Sequence, residues 1–346
     1  MKIEQLSRYG TFMIMAFLLT VALFMAGCAG QSAPALNEAG STEGEHAAID
    51  PSLLAPIQLE AGETLQVVAT SNLIADVVAN VGGDAIELVA LLPTGADPHS
   101  YTATPADLRA VNDAALIFVN GLGLEETLSP VLDSLDPGIP VVTVNRDVST
   151  HTLGDEEDAD SDHADDDHGH GGTDPHTWMD VANVMIWVDT IADALSAVSP
   201  EHASEFAANA QAYQADLTAL ADEVDAMVAE LPVAQRKLVT DHDALGYFAA
   251  AHDFEIVGLV ISSFSTLSSP SAQQLAALQD QITTEDVRAI FVSTTVNPQL
   301  AEQIATDLGI QVVPLYIGSL SDQAGPAASY LDFMRYNTTA IVTALK

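Results

Sequence analysis

The sequence predicts an α/β protein of two lobes, each with a mostly parallel sheet flanked by helices, and one long rigid helix that joins them. Two observations support this prediction. Short apolar runs alternate with amphipathic helical patterns in both halves of the chain, which is typical of parallel sheets with crossover helices. Between the halves, residues 202–230 form a helical pattern without glycine or proline. A ligand cleft is expected between the two lobes.

The first lobe is predicted over residues 61–180, with four strands and helices between them. The helix that starts at Thr104 has a clear local signal, because Thr104 can act as N-cap and Pro105 suits the first helical position. The preceding helix ends at the glycine pair 82–83. The predicted strands are LQVVAT, IELVALLP, ALIFVNG and PVVTVN.

The linking helices are predicted over residues 181–232 and the second lobe over residues 233–346. At about 1.5 Å per residue, the helix of residues 202–230 would span roughly 43 Å, which suits a strut that crosses between two lobes. Pro232 ends this helix. The α/β alternation then restarts, with predicted strands KLVT, EIVGLV, AIFVST and QVVPLY.

Residues 1–27 have the pattern of an export signal. Lys2 and Arg8 form a short basic start, an apolar run follows, and small residues stand directly before Cys28, the one cysteine of the chain. The segment resembles a bacterial lipoprotein signal, which implies that Cys28 carries a lipid anchor in the membrane. The alternative is an uncleaved anchor helix. Both place the remainder outside the cytoplasm, in a periplasm or on the outer cell surface, and residues 28–60 are predicted to be a flexible tether.

The charge of the chain excludes one class of partner. There are 49 acidic and 9 basic residues, which give a formal net charge of -40. Nucleic acid is not expected to bind, since phosphate contacts need clustered Lys and Arg. Such a surface attracts cations, but adaptation to salt explains most of the acidity, and the charge alone does not identify a ligand.

Three of the ten histidines lie where a strand or loop meets a helix. His99 and His176 occur in two similar stretches, DPHSY and DPHTW, in which proline holds the imidazole at the end of a stiff loop. His242 follows the strand KLVT in the second half. Such junctions are the usual place for function in open α/β sheets, so the three could meet in the cleft. Spacing alone supports a metal site and three structural histidines about equally.

A divalent metal bound by these imidazoles would need a further ligand. Zinc prefers four tetrahedral nitrogen, sulfur or oxygen donors, and with Cys28 lipidated the fourth must be a carboxylate or water. Asp322, in a loop after the strand QVVPLY, is the candidate. Carboxylates beside the histidines could orient the imidazoles by hydrogen bonds to their other ring nitrogen, or simply accept backbone hydrogen bonds in turns. They are Asp97, Asp174, Asp241 and Asp243.

Residues 151–173 form a low-complexity acidic stretch that is rich in histidine, and its composition predicts disorder. Three interpretations stay open for this insertion. It could be a solvated loop, an accessory site that captures metal near the cleft, or a segment that transfers metal to a partner. The histidines concerned are His151, His163, His168 and His170.

These motifs together resemble the cluster A-I metal-binding lipoproteins, the substrate-binding components of ABC importers for zinc and manganese. The resemblance covers roughly residues 62–346 and rests on LLPTGADPHSYTATPADL, VNGLGLE, the His-rich insertion, DPHTWMDVANV, VTDHDALGYF, GSLSDQAG and SYLDFMRYN. It implies that His99, His176, His242 and Asp322 bind the metal. Manganese-preferring members usually carry Glu at the position of His242, so a third imidazole favours zinc, with manganese as the alternative.

The resemblance further implies a reversible carrier and no enzymatic activity. We expect a monomer that delivers its ion to a membrane permease, and an affinity that falls below about pH 6.5, because only neutral imidazole binds metal. The rival is a secreted zinc hydrolase, which would need an open metal site and a base such as Asp243. The His-Glu-x-x-His helix of many metalloproteases does not occur in the sequence. A role in cell adhesion, as in some relatives, is not testable from the sequence.

Overall fold

The computed structural model describes residues 49–59, 63–152 and 172–346. The predicted signal, Cys28 and the first part of the predicted tether lie outside the described residues, as does most of the His-rich insertion, residues 153–171. The histidines of that part are His163, His168 and His170. The predictions made for these segments stay predictions.

The first half of the chain forms a four-stranded parallel sheet. Its strands are β1 (Leu65–Ala69), β2 (Ile86–Ala90), β3 (Leu116–Val119) and β4 (Val141–Thr143), in the order β2-β1-β3-β4. The helices between them are α1 (Asn72–Gly82), α2 (Pro105–Asp113) and the short α3 (Ser129–Leu132), which the sequence analysis does not predict. All four residues of β3 are buried, as expected for an inner strand covered on both faces.

Two consecutive helices follow the first sheet, α4 (Val181–Val198) and α5 (Ala203–Ala229). By length and composition α4 could cross a membrane, but Trp187 and Ile191 on this helix are fully buried in the protein core. The 27 residues of α5 match the predicted long helix, and they would span about 40 Å. The buried residues of α5 recur at spacings of three or four, which places them on one face. They are Phe206, Ala210, Tyr213, Leu217, Leu220, Val224 and Val228.

The second half repeats the arrangement of the first. Its strands are β5 (Lys237–Thr240), β6 (Glu255–Leu259), β7 (Ala289–Ser293) and β8 (Gln311–Leu315), again all parallel and in the order β6-β5-β7-β8. The helices are α6 (Gly246–Ala251), α7 (Ala272–Thr284), α8 (Gln299–Leu308) and α9 (Tyr330–Leu345). The prediction of two α/β halves joined by a long helix is confirmed. In both sheets the loops that leave the carboxyl ends of the strands are the natural place for a ligand.

Side-chain hydrogen bonds hold the two halves together beside α1. Asn72 Nδ2 donates to Ser319 Oγ at 2.8 Å, and Asn72 Oδ1 accepts from the backbone N of Leu320 at 3.0 Å. Trp178 Nε1 donates to the backbone oxygen of Ile317 at 2.9 Å. Apolar side chains from both halves and from α5 belong to one buried cluster. The long helix and these bonds therefore limit how far the halves can move apart.

A close backbone approach also joins the halves next to the first Asp-Pro-His motif. Gly318 lies against Pro98, and a Cβ built on Gly318 would come within 2.7 Å of the proline Cδ. Glycine is required here because any side chain would collide with the ring. The loop after β8 can thus pack directly on the loop that carries His99.

Residues 49–59, which composition assigns to the flexible tether, contact the folded part of the chain. Asp50 accepts a hydrogen bond from Ser52 N at 2.9 Å and pairs with Arg146 at 3.0 Å. The backbone N of Ile57 donates to Val198 O, at the end of α4, at 2.8 Å. This part of the predicted tether therefore packs on the protein.

Candidate metal centre

Three imidazoles from distant parts of the chain converge in the structure. His99 lies in the loop after β2, His176 directly before a 3-10 turn that leads into α4, and His242 in the loop after β5. One ring nitrogen from each lies within 4.8 Å of the others, and all three residues are buried. Among the described residues this is the one group of three or more His, Cys, Asp or Glu side chains that could hold a metal ion.

The rings are tilted or nearly perpendicular to one another, with their nitrogens close together. The Nε2 atoms of His99 and His176 are 3.2 Å apart. Ring centroids are separated by 5.2 Å for His99 and His176, 5.7 Å for His99 and His242, and 5.1 Å for His176 and His242. Two nitrogens on one tetrahedral zinc, each at about 2.0–2.1 Å, would be roughly 3.3–3.4 Å apart. The arrangement is therefore close to what a bound zinc ion requires.

Buried carboxylates lie against the Nδ1 atoms of two of the imidazoles and orient these rings. Asp174 Oδ1 lies 2.8 Å from His176 Nδ1, and Asp241 Oδ1 lies 2.9 Å from His242 Nδ1. A carboxylate beside Nδ1 favours the tautomer with the proton on Nδ1, which leaves Nε2 free to bind a metal. Asp241 is itself fixed, because its Oδ2 accepts from the backbone N of Ser293 at the end of β7 at 2.8 Å.

The other two carboxylates predicted to orient imidazoles make no hydrogen bond to a histidine ring among the described residues. Asp97 Oδ1 accepts from the backbone N of His99 at 3.1 Å, which is the turn-stabilising alternative. The backbone N of Asp243 donates to Ser263 O at 3.0 Å, and its carboxylate has no hydrogen-bond partner among the described residues. Burial, followed by the charge of Asp174, raises the pKa of Asp243 to about 6.

Asp322 is not brought to the three histidines. Its side chain is exposed, and Oδ1 accepts from the backbone N of Ala324 at 3.1 Å within its own turn. That turn is closed by the bond from Ser321 N to Ala327 O at 2.9 Å. The loop after β8 makes its close contact with the His99 loop earlier, at Gly318, where no side chain fits. The described residues therefore supply three nitrogen donors and no carboxylate at the point where the imidazoles meet.

His151 lies near the centre but outside the cluster of three imidazoles. Its exposed ring lies 4.4 Å from that of Tyr247, and its backbone oxygen accepts from Asp174 N at 2.9 Å. The Tyr247 hydroxyl donates to the backbone oxygen of Asp174 at 3.0 Å. Tyr247 thus helps to hold the backbone at Asp174. The sequence gives no signal for this contact, because the two residues are 73 positions apart.

Burial makes two of the imidazoles poor bases. Together with the neighbouring imidazoles of His176 and His242, it lowers the pKa of His99 to about 3. It also lowers the pKa of His176 well below the usual range. For His242 burial acts in the same direction, but the charge and hydrogen bond of Asp241 outweigh it, and the pKa is raised. His99 and His176 are therefore neutral at neutral pH, which is the form that binds a metal.

A cavity of about 280 Å³ opens beside His99. Its walls come from both halves of the chain and combine apolar and polar side chains. They include Leu122, Glu126, Thr173, Ser263, Phe264 and Ser265. The cavity gives an ion a path to His99, the one of the three imidazoles that lines it.

Comparison with known proteins places this chain in a family. A family model described as "Zinc-uptake complex component A periplasmic" matches residues 67–344. The chain belongs to this family. The resemblance predicted from the sequence motifs is thereby confirmed. Similar proteins include several named as metal or manganese ABC transporter substrate-binding lipoproteins, for example SsaB of Streptococcus sanguinis.

Members of the zinc-uptake component family similar to this chain are named for different metals. The manganese-binding lipoprotein MntA of Halalkalibacterium halodurans is 32% identical over 287 residues, which cover 83% of this chain and 90% of that protein. The zinc-binding protein TroA of Treponema pallidum is 32% identical over 285 residues, 81% of this chain and 88% of that protein.

Solved structures of the family have the same fold. The structure of the periplasmic zinc-binding protein TroA matches with a TM-score of 0.73 and 31% identity, over 82% of this chain and 99% of that one. A Mn-bound periplasmic metal-binding protein from Candidatus Liberibacter asiaticus matches with a TM-score of 0.71 and 27% identity. The match covers 82% of this chain and 100% of that one. The family thus binds divalent metals, and its members' names do not single out one ion.

Proposed function

We propose that this chain is the extracytoplasmic substrate-binding protein of an ABC importer and that His99, His176 and His242 bind its divalent metal ion. The observation that carries the proposal is the convergence of three buried ring nitrogens within 4.8 Å of one another. Two of these rings are fixed by carboxylates, and burial keeps two of them neutral. The site is thus prepared for a cation before one arrives.

Zinc is the ion that this donor set suits best. Imidazole is a borderline ligand that zinc accepts readily, whereas manganese favours carboxylate, carbonyl and water oxygens. In the described residues the donors that meet are three nitrogens. Manganese is the alternative. Since relatives are named for each of the two metals, the preference for zinc rests on the donor atoms alone.

The buried carboxylates provide the charge that a divalent ion requires. Asp174 and Asp241 are almost fully buried, at 1% and 3% exposure, and each touches a proposed ligand. Buried charges are costly unless they are compensated. Without the ion, burial raises the pKa of Asp174 to about 7, and Asp241 raises that of His242. A dication on neutral imidazoles would balance both carboxylates and take the place of these protons.

The remaining parts of the proposal follow from the export signal and the family. Lipidation of Cys28 would hold the protein at the membrane, as a monomer, close to the permease that receives the ion. The relatives named as lipoproteins support this placement.

Accessory metal capture by the His-rich insertion stays a prediction. Deletion of residues 155–171, followed by measurement of how many zinc ions each protein binds, tests it.

Competitive metal loading tests the proposed site. The full chain, solubilised in detergent, is exposed to equal zinc and manganese, and the retained metal is measured. We expect zinc to be retained, and His99→Ala and His242→Ala to abolish tight binding. His202→Ala is the matched control, because His202 is exposed and pairs with Glu205 on α5. Tight zinc binding by both ligand variants would refute the site.

A carrier should also lack turnover. The rival hydrolase predicts release of product from ester or peptide substrates by the zinc-loaded protein. We expect no such activity, since the relatives are named as binding proteins and their family serves metal uptake. Zinc-dependent hydrolysis that disappears in His242→Ala would favour the hydrolase instead.

A further inference from the structure

We propose that the hydrogen bond between Thr266 and Asp97 is a latch that slows release of the bound metal ion. This inference rests on the proposed function, because it concerns the same site. Thr266 Oγ1 donates to Asp97 Oδ2 at 2.6 Å and thereby joins the second half of the chain to the first. A hydroxyl donor on a carboxylate at this distance belongs to the stronger class of hydrogen bonds.

Asp97 transmits this bond to a proposed metal ligand. Its Oδ1 accepts from the backbone N of His99 at 3.1 Å, while Oδ2 also accepts from Ser100 Oγ at 3.1 Å. Both oxygens of one carboxylate are thus engaged, one with the His99 backbone and the other with Thr266. A shift of Thr266 therefore pulls on the loop that positions the His99 ring.

Thr266 lies in the segment of residues 261–270 between β6 and α7, which we name the 261–270 loop. Ser263, Phe264 and Ser265 of this loop line the cavity of about 280 Å³ beside His99. The next residues of the loop line a second cavity of about 440 Å³, which Asp97 also borders. The 261–270 loop is thus a partition between the His99 cavity and a larger groove.

One hydrogen bond joins the 261–270 loop to the first half of the chain. Among the hydrogen bonds of the described residues, only the bond from Thr266 to Asp97 connects the 261–270 loop with the first half. No residue of this loop is buried; each is half-buried or exposed. Segments with so little burial open locally at low free-energy cost. Once the latch opens, the two cavities can merge, which widens the path between His99 and solvent.

Metal release from the full-length protein in detergent tests the latch. Protein loaded with Zn²⁺ is mixed rapidly with excess EDTA, and tryptophan fluorescence follows the loss of the ion. Trp178 is a suitable reporter, because its ring lies 5.3 Å from that of His176. We expect Thr266→Val to release zinc on the order of tenfold faster, the factor that corresponds to one hydrogen bond to a charged group. The association rate should change less than the release rate.

Three variants separate the latch from a general effect on the loop. Ser268→Ala removes a hydroxyl from the same loop without touching Asp97, and it should release zinc at the wild-type rate. Thr266→Ser keeps the donor and should also behave as wild type. Thr266→Ala carries the same expectation as Thr266→Val, so that a folding defect in the valine variant leaves the test intact.

A double-mutant cycle identifies the partner. If Thr266 acts through Asp97, Thr266→Val should have no further effect on release in an Asp97→Ala background. Equal release by Thr266→Val and Ser268→Ala would overturn the latch, and so would an undiminished effect in the Asp97→Ala background. Failure of the proposed function gives a different result. The wild-type protein would then retain no zinc, and the latch proposal would be refuted together with the metal site.

Discussion

One oxygen of Asp174 fixes both the ring and the backbone of His176. Asp174 Oδ1 lies 2.8 Å from Nδ1 of His176 and 2.9 Å from its backbone N. Asp241 repeats the arrangement at His242: its Oδ1 lies 2.9 Å from Nδ1 of His242 and 2.8 Å from its backbone N. Two of the three converging imidazoles are therefore oriented by a carboxylate that lies next to them in the sequence. The His99 ring has no such carboxylate among the described residues, so its position depends more on its loop.

Replacing the carboxylate of Asp174 should weaken metal binding without unfolding the protein. Asp174→Asn keeps the size of the side chain and an acceptor oxygen, but a neutral amide supports the His176 imidazole less well. We expect zinc affinity to fall by about 10–100-fold, as for other groups that orient a metal-bound histidine. Competition with a zinc-binding dye measures the dissociation constant.

Asp243→Asn is the matched control for Asp174→Asn. It also removes one negative charge near the centre, but the Asp243 carboxylate does not contact a histidine ring. Its effect on zinc affinity should be clearly smaller. Equal losses in the two variants would mean that total charge, and not orientation of His176, governs affinity.

The pH dependence of binding should be dominated by His242 and Asp174. A metal displaces protons from the groups at the centre that are protonated in the metal-free protein. The pKa of His99 is lowered to about 3 and that of His176 is also lowered, whereas Asp241 raises that of His242. Burial also raises the pKa of Asp174, which contacts His176, to about 7. Affinity should therefore fall as pH drops through the raised pKa values of His242 and Asp174, with the loss of about two protons per zinc bound near pH 6.

Calorimetry in two buffers with different ionisation enthalpies measures this proton release. Three unperturbed imidazoles, each with a pKa of about 6.5, would release close to three protons per zinc well below that pH. A measured value near three at pH 5 to 6 would contradict the assignment. A value near two would agree with two imidazoles kept neutral by burial, with one proton lost from His242 and one from Asp174.

The long helix α5 should be the main mechanical support of the described structure. Leu217 is fully buried at the middle of α5, in the cluster that both halves share. We expect Leu217→Ala to reduce the free energy of unfolding by about 2–5 kcal/mol, because it leaves a cavity that the surroundings fill only in part. Thr218→Ala, the next residue and exposed, should cost less than about 0.5 kcal/mol. Urea unfolding followed by circular dichroism gives both values.

Much of the fold could be predicted because its signals are local. Thr104 caps α2 as expected, with its hydroxyl accepting from Ala106 N and Asp107 N. The length of α5 follows from an unbroken helical pattern. The helix α3 has only four residues, too few for a periodic pattern, and so the sequence analysis does not predict it. The packing of Ile57 on the end of α4 is also missing from the sequence, because it depends on a backbone contact and not on composition.

The candidate site could be predicted in part. His99 and His242 each follow a strand of one of the two sheets, where ligand sites in α/β proteins are usual, and His176 precedes a helix in a motif like that of His99. The partner of Asp97 could not be found, because Thr266 is 169 positions away in a serine-rich loop without a periodic pattern. The prediction of Asp322 rests on its place after the strand QVVPLY and on the family resemblance. Neither contains the local hydrogen bonds that set the turn in which Asp322 lies.

Asp322 therefore gives the sharpest test between resemblance and geometry. The resemblance makes it the fourth ligand, whereas the structure has it exposed, with Oδ1 bound to Ala324 N. We expect Asp322→Asn to change zinc affinity by no more than about twofold, as for an exposed residue away from the site. His99→Ala, measured in parallel, should abolish tight binding. A loss of about tenfold or more in Asp322→Asn, the size expected of a ligating group, would mean that the turn of residues 321–327 rearranges to reach the ion.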